Sequence, residues 1–169
     1  MDKVEYLETT VPNAYHGTSR ANAENIEKTG FRISRKPELF LGDGVYFYKG
    51  SKTLAESWAK GKYPEEEIAT IVANIKLGYC LDLTIPEHRE LLSEAIVEFK
   101  RRPNWRKVTD TFVLNYFAGV IEPQIDTIVH FREPEKIVKL FAGSQILTGG
   151  YMVICVRKTE CILSFSIAS

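Results

Sequence analysis

Leu41–Tyr48 reads LGDGVYFY: two glycines flank an aspartate, and a strand-like run with three aromatic rings follows. A core strand needs no Gly-Asp-Gly at its entrance, and a simple turn needs no Tyr, Phe and Tyr behind it. Glycines at such a point let something approach the backbone where a side chain would block it. Rings beside them suit a flat partner.

Working outward, NAYHGTS reads as a short strand running into a loop. Ser19 can cap a helix over Arg20 to Lys28 that turns Ala23 and Ile26 inward and stops at Gly30. Residues 34–40, SRKPELF, read as a polar loop before the strand GVYFY. Behind it, TLAESWAK predicts a short helix, with Thr53 and Glu56 at capping-box spacing and Ala55, Trp58 and Ala59 on one face. From Ala69 to Leu77 apolar residues alternate with others, as in a half-buried strand, and Gly78 is expected to turn into a second strand, YCLDL. Pro86 opens a helix to Lys100 with an apolar stripe of Leu91, Leu92, Ala95, Ile96 and Phe99. Pro103 ends it, and a further helix is expected over Val108 to Val120, carrying Phe112, Val113, Tyr116 and Phe117. IDTIVHF, YMVICVR and CILSFSI complete the strands, the last two joined by the turn KTE. Strands on both sides of a helical insert predict an α+β fold with a mostly antiparallel sheet.

The 169 residues are expected to form a single domain, 1–169, with one core. Net charge is zero, so no global field draws the chain to nucleic acid or membrane. Cys80, Cys155 and Cys161 are an odd set without CxxC spacing, which argues against a disulfide framework or a metal site and for reduced thiols. MDKVEYLETT has no apolar central run, and no segment reaches the roughly 20 apolar residues of a membrane span. A cytoplasmic protein is the expectation.

YHGTS (Tyr15–Ser19), followed by a helix and Gly30-Phe31, stands ahead of LGDGVYFY and a helix bearing Trp58. This pairing resembles the diphtheria-toxin-like and poly(ADP-ribose)-polymerase-like branch of the ADP-ribosyltransferases, most closely a small bacterial-type member. The resemblance covers residues 15–59 well and the last strands loosely. It implies a split β-sheet core with peripheral helices and NAD as co-substrate, with no metal. It assigns His16 to a ribose hydroxyl, the Gly17 backbone to the nicotinamide amide, and Tyr46 to stacking on the ring. Trp58 falls near the second stacking position, and Ser51 or Thr53 supplies a hydroxyl to the amide. Thr18, Arg20 and Tyr48 are further candidates for the NAD site. Gly42 and Gly44 let the loop pack tightly before Tyr46.

The family's third element is a glutamate at the start of a late strand, whose charge opposes the positive charge developing on the ribose. The matching strand here, YMVICVR, begins Tyr151, Met152, Val153. The resemblance therefore implies a His16, Tyr46, Val153 triad, with Met152 as the alternative register, and mono-transfer of ADP-ribose to a protein or nucleic acid. A toxin or phage-defence effector with an antitoxin partner suits that reading. A catalytically silent NAD- or ADP-ribose-binding module of the same fold is the alternative. FKRRPNWRK (Phe99–Lys107) offers Arg101, Arg102 and Trp105 as acceptor-binding candidates for phosphates and bases, and reads more simply as a solvated inter-helix loop.

Overall fold

NAYHGTS is the second half of a longer strand, β1 (Tyr6–Ser19). In this computed structural model, which describes residues 4–103, 109–121, 123–134, 136 and 138–169, the chain then runs through α1 (Arg20–Thr29), β2 (Val45–Lys49), α2 (Lys52–Lys62) and β3 (Ile68–Asp82). Next come α3 (Pro86–Lys100), α4 (Asp110–Val120), β4 (Thr127–Arg132), and a small hairpin of β5 (Val138–Lys139) and β6 (Leu147–Thr148). β7 (Tyr151–Val156) and β8 (Ile162–Ile167) end the fold.

Six strands form one sheet in the order β1-β2-β7-β4-β3-β8, and an added β1–β3 pairing closes it on itself. Every pairing in it is antiparallel except β3–β4. The class is α+β and mostly antiparallel; in place of two separate half-sheets there is a hydrogen-bonded ring.

Gly78 does not turn the chain. It sits inside the continuous β3 at φ 59°, where a Cβ would collide with the Asp126 carboxylate. Before it, Ile71–Ile75 pair with β8; after it, Cys80–Asp82 pair with β4. The strand changes neighbours there and keeps its direction.

Ser19 caps α1 through a 3.3 Å bond from Asn22 N–H, and Gly30 ends it at φ 80°, both as expected from the residue types. For α2 the cap is Ser51, which accepts from Leu54 N–H at 3.3 Å, so Thr53 is an exposed first-turn residue. Only the two alanines of the expected face, Ala55 and Ala59, are buried; Trp58 is 42% exposed. α4 is rotated from the expected stripe: it buries Val113, Leu114, Phe117 and Ala118 and leaves Phe112 and Tyr116 outside. Val108 lies outside the described residues.

One core cluster centres on Phe47, Ile75 and Ile154, and another joins Leu81, Ile128 and Cys155 to Leu114 and Phe117 of α4. Alternation along β2 and β7 divides the two. Phe47 faces the first cluster, while Tyr46, Tyr48 and Val153 face the second. All three cysteines are buried free thiols. No described helix is long and apolar enough to cross a membrane.

Candidate functional site

The two sequence motifs meet where β1 and β2 part. Their ladder runs through Ala14↔Lys49 and Tyr15↔Tyr48 and ends there. One residue further, His16 Nδ1 lies 2.8 Å from the Tyr46 backbone oxygen. A carbonyl only accepts, so Nδ1 carries the proton and Nε2 keeps a lone pair. Burial holds the imidazole pKa below its ordinary 6.5, against the Tyr46 carbonyl, and the nearby Lys62 charge lowers it further. His16 is thus a neutral acceptor at pH 7, packed edge-on against Phe31 at 5.4 Å and near Phe47 at 5.7 Å.

The direction of the Gly17 peptide groups follows from the ladder. Arg20 N–H donates to Glu67 O at 2.7 Å, so hydrogen-bonded pairs with β3 recur at Thr18 and His16, and Gly17, opposite Thr70, lies between them. Thr70 O accordingly faces the other way and accepts from Ala168 N–H at 2.8 Å. The Gly17 N–H and C=O therefore point towards β2, on the side where the ladder has ended.

The glycine requirement at 17 has a separate cause. A Cβ there would run into the Ala55 carbonyl of α2, far inside van der Waals contact, and press on Ala59. Gly17 lets the helix backbone lie directly on β1. Gly42 and Gly44 are explained in the same way: a Cβ on Gly42, at φ 80°, would meet the Asn115 side chain, and one on Gly44 would meet Cys155 Sγ. Asn115 then binds the turn at both ends of its amide, accepting from Asp43 N–H at 2.7 Å and donating to Asp43 Oδ1 at 3.1 Å. Arg157 closes the network on Asp43 O at 3.1 Å and Asn115 Oδ1 at 2.9 Å. What approaches the Gly-Asp-Gly backbone is the protein itself.

That locked turn aims Tyr46. Its hydroxyl donates to Gly42 O at 2.6 Å and accepts from Leu41 N–H at 3.0 Å. Burial, with Cys155 beside it, pushes the phenol well above its ordinary range. Tyr48 is pushed up to about 12, chiefly by burial, and its ring lies 5.3 Å from that of Tyr151.

Beside this junction is a cavity of about 930 Å³. His16, Gly17, Thr18, Tyr46, Tyr48, Trp58 and Val153 all line it. Four residues from the same expected set do not. Arg20 is ion-paired with Glu67 at 3.2 Å, Ser51 is spent on its cap, and Thr53 is exposed in the first turn of α2, off the cavity wall. Met152 packs against the other core cluster, and of the pair it is Val153 that lines the cavity. Of the acceptor candidates, Arg101 pairs with Glu98 at 2.8 Å and Arg102 lies over the Phe99 and Tyr116 rings, both away from the cavity wall. Trp105 lies outside the described residues.

Sequence reasoning missed the cations. Arg32, Lys36, Lys62 and Arg132 line the cavity, against a single described carboxylate, Glu38. Lys62 lies 4.6 Å over the Trp58 ring and Arg132 lies 5.0 Å over Phe40. Arg32 and Lys36 share the loop between α1 and β2, while Lys62 ends α2 and Arg132 ends β4, so no local run announces the whole set. The cavity thus combines aromatic faces, an open backbone edge, a neutral imidazole acceptor and positive charge. These suit a flat, amide-bearing ligand with anionic groups. Among the described residues no group of His, Cys, Asp or Glu is placed to hold a metal ion.

No family model matches the chain, and no curated protein does. Among solved structures it is similar to the M. tuberculosis MbcT-MbcA toxin-antitoxin complex, at 14% identity and a TM-score of 0.46, over 97% of this chain and 84% of that one. A likeness of that extent carries no argument about function.

Proposed function

We propose that the protein is a mono-ADP-ribosyltransferase that releases nicotinamide from NAD and transfers ADP-ribose to a macromolecular acceptor. The observation that carries this reading is the junction of β1 and β2. There His16 bridges to the Tyr46 carbonyl, and the Gly17 peptide groups face the cavity. On this reading the parting of the two strands is the cleft of an ADP-ribosyltransferase-type sheet.

The roles of His16, Gly17, Tyr46 and Trp58 are those the resemblance implies, and the geometry of the cavity is compatible with each. The Gly17 N–H and C=O would bind the two ends of a primary carboxamide, a donor and an acceptor matched to an acceptor and a donor. The ring faces of Tyr46, Tyr48 and Trp58 would flank the nicotinamide. His16 Nε2 would accept from a ribose hydroxyl, which requires the neutral imidazole that burial provides. Arg32, Lys36, Lys62 and Arg132 would meet the diphosphate. Catalysis then comes from holding acceptor and ribose in line, with fixed charges supporting the change at the sugar. The toxin role and the antitoxin partner belong to the same proposal and rest on the sequence resemblance.

A second reading, a silent NAD-binding module, is favoured by one feature: β7 (Tyr151–Val156) carries no carboxylate. Adenine-labelled NAD in a lysate, divided into protease-, RNase- and DNase-treated portions, separates the two. Transfer predicts label on a macromolecule that one treatment releases. Binding of NAD with no label on any macromolecule and no free nicotinamide supports the module.

A further inference from the structure

We propose that Glu38 is a catalytic residue, supplying from a loop the carboxylate that β7 lacks; this rests on the transferase reading above. Glu38 is the one carboxylate among the described residues that line the cavity. Its side chain is exposed and makes no hydrogen bond or ion pair with the described residues. A surface carboxylate with no partner is ordinary on its own. The backbone around this one is not.

The Thr111 hydroxyl, buried in α4, lies 2.8 Å from Pro37 O and 2.7 Å from Leu39 O, the carbonyls on either side of Glu38. Leu39 N–H also closes a turn onto Lys36 O at 3.3 Å. Phe40 packs on the Tyr46 ring at 5.8 Å. The loop that reads as polar and unstructured is therefore pinned at the residue that carries the charge, as a functional group needs to be.

The chemistry has a use for it. The bond from ribose C1′ to the pyridinium nitrogen breaks with both electrons going to nicotinamide, which leaves neutral. The acceptor's lone pair forms the new bond to C1′, and its proton passes to Glu38 and then to water. The Glu38 charge opposes the positive charge on the ribose while the old bond breaks. Thr111 acts as a positioning residue.

The test is to compare wild type, Glu38→Gln and Glu38→Asp in NAD binding by calorimetry and in single-turnover nicotinamide release. Glu38→Gln is expected to bind NAD within about twofold of wild type and to release nicotinamide at least about 100-fold more slowly, the scale of losing one charge-stabilising group. Glu38→Asp is expected to recover part of the rate. Release by Glu38→Gln at the wild-type rate overturns the proposal. So does a loss of NAD affinity that accounts for the whole effect, which would make Glu38 a binding residue. If wild type binds no NAD, the transferase reading fails and this inference fails with it.

Discussion

His16 Nδ1 lies 2.8 Å from the backbone oxygen of Tyr46, joining two motifs 30 residues apart in the chain. The contact has two consequences. It fixes the imidazole tautomer, and it replaces the next backbone pairing between β1 and β2 with a side-chain bond, so the strands open into the cavity.

His16→Ala and Tyr46→Phe are expected to separate function from stability. His16→Ala removes the ribose acceptor and should abolish nicotinamide release. Tyr46→Phe keeps the ring face but leaves Gly42 O and Leu41 N–H without their hydroxyl partner. It should cost about 1–3 kcal/mol of stability and retain NAD binding. Denaturant titration and calorimetry on both variants check this; full activity in His16→Ala would move the site elsewhere.

Gly17→Ala should be strongly destabilising, by about 1–3 kcal/mol or more, because the new methyl meets the Ala55 backbone and α2 must shift. Gly61→Ala, in the same helix with nothing within 4 Å of the added Cβ, is the control. It should be neutral or stabilise by up to about 1 kcal/mol. Equal effects in urea titrations would show that α2 does not lie on Gly17.

The pH dependence has a definite sign. The folded-state pKa of His16 is lowered, so below its ordinary 6.5 the unfolded chain binds more protons than the folded one. Stability should be independent of His16 above pH 6.5 and should fall as pH drops below that value. In His16→Gln this part of the fall should be missing when thermal melts at pH 7.5 and 5.5 are compared.

Asn115→Ala should loosen the turn before Tyr46. It leaves Asp43 N–H and Arg157 without the amide oxygen they share, in a part-buried place. The expected cost is about 1–3 kcal/mol, and hydrogen exchange at residues 41–46 should rise. Unchanged exchange there would mean that the turn does not need α4.

Local signals carried much of the fold. Ser19 and Gly30 bound α1 because capping is a property of the adjacent residues, and Pro86 opens α3 for the same reason. Closure of the sheet was not legible. Gly78 looks like a turn in sequence and is a positive-φ position inside the continuous β3, because its reason lies in Asp126, distant in the chain. The hairpin of β5 and β6, whose connection carries Phe141 at 63% exposure, has no counterpart in the strands expected from the sequence. For the site, the motifs named His16, Gly17, Tyr46 and Trp58, all on the cavity wall. They did not name Arg32, Lys36 and Glu38, from the loop before β2, or Arg132, which the end of β4 brings to the same cavity. Nor could they show that Gly17, Gly42 and Gly44 are glycines because other parts of the chain press on them.

The central claim is that the opening between β1 and β2 holds the nicotinamide end of NAD. A crystal structure with a carbocyclic NAD analogue, which resists cleavage at the ribose, tests it most directly. The carboxamide is expected within hydrogen-bonding distance of Gly17 N–H and C=O, with a ribose hydroxyl on His16 Nε2. An analogue bound in reverse, or outside this cavity, would contradict it.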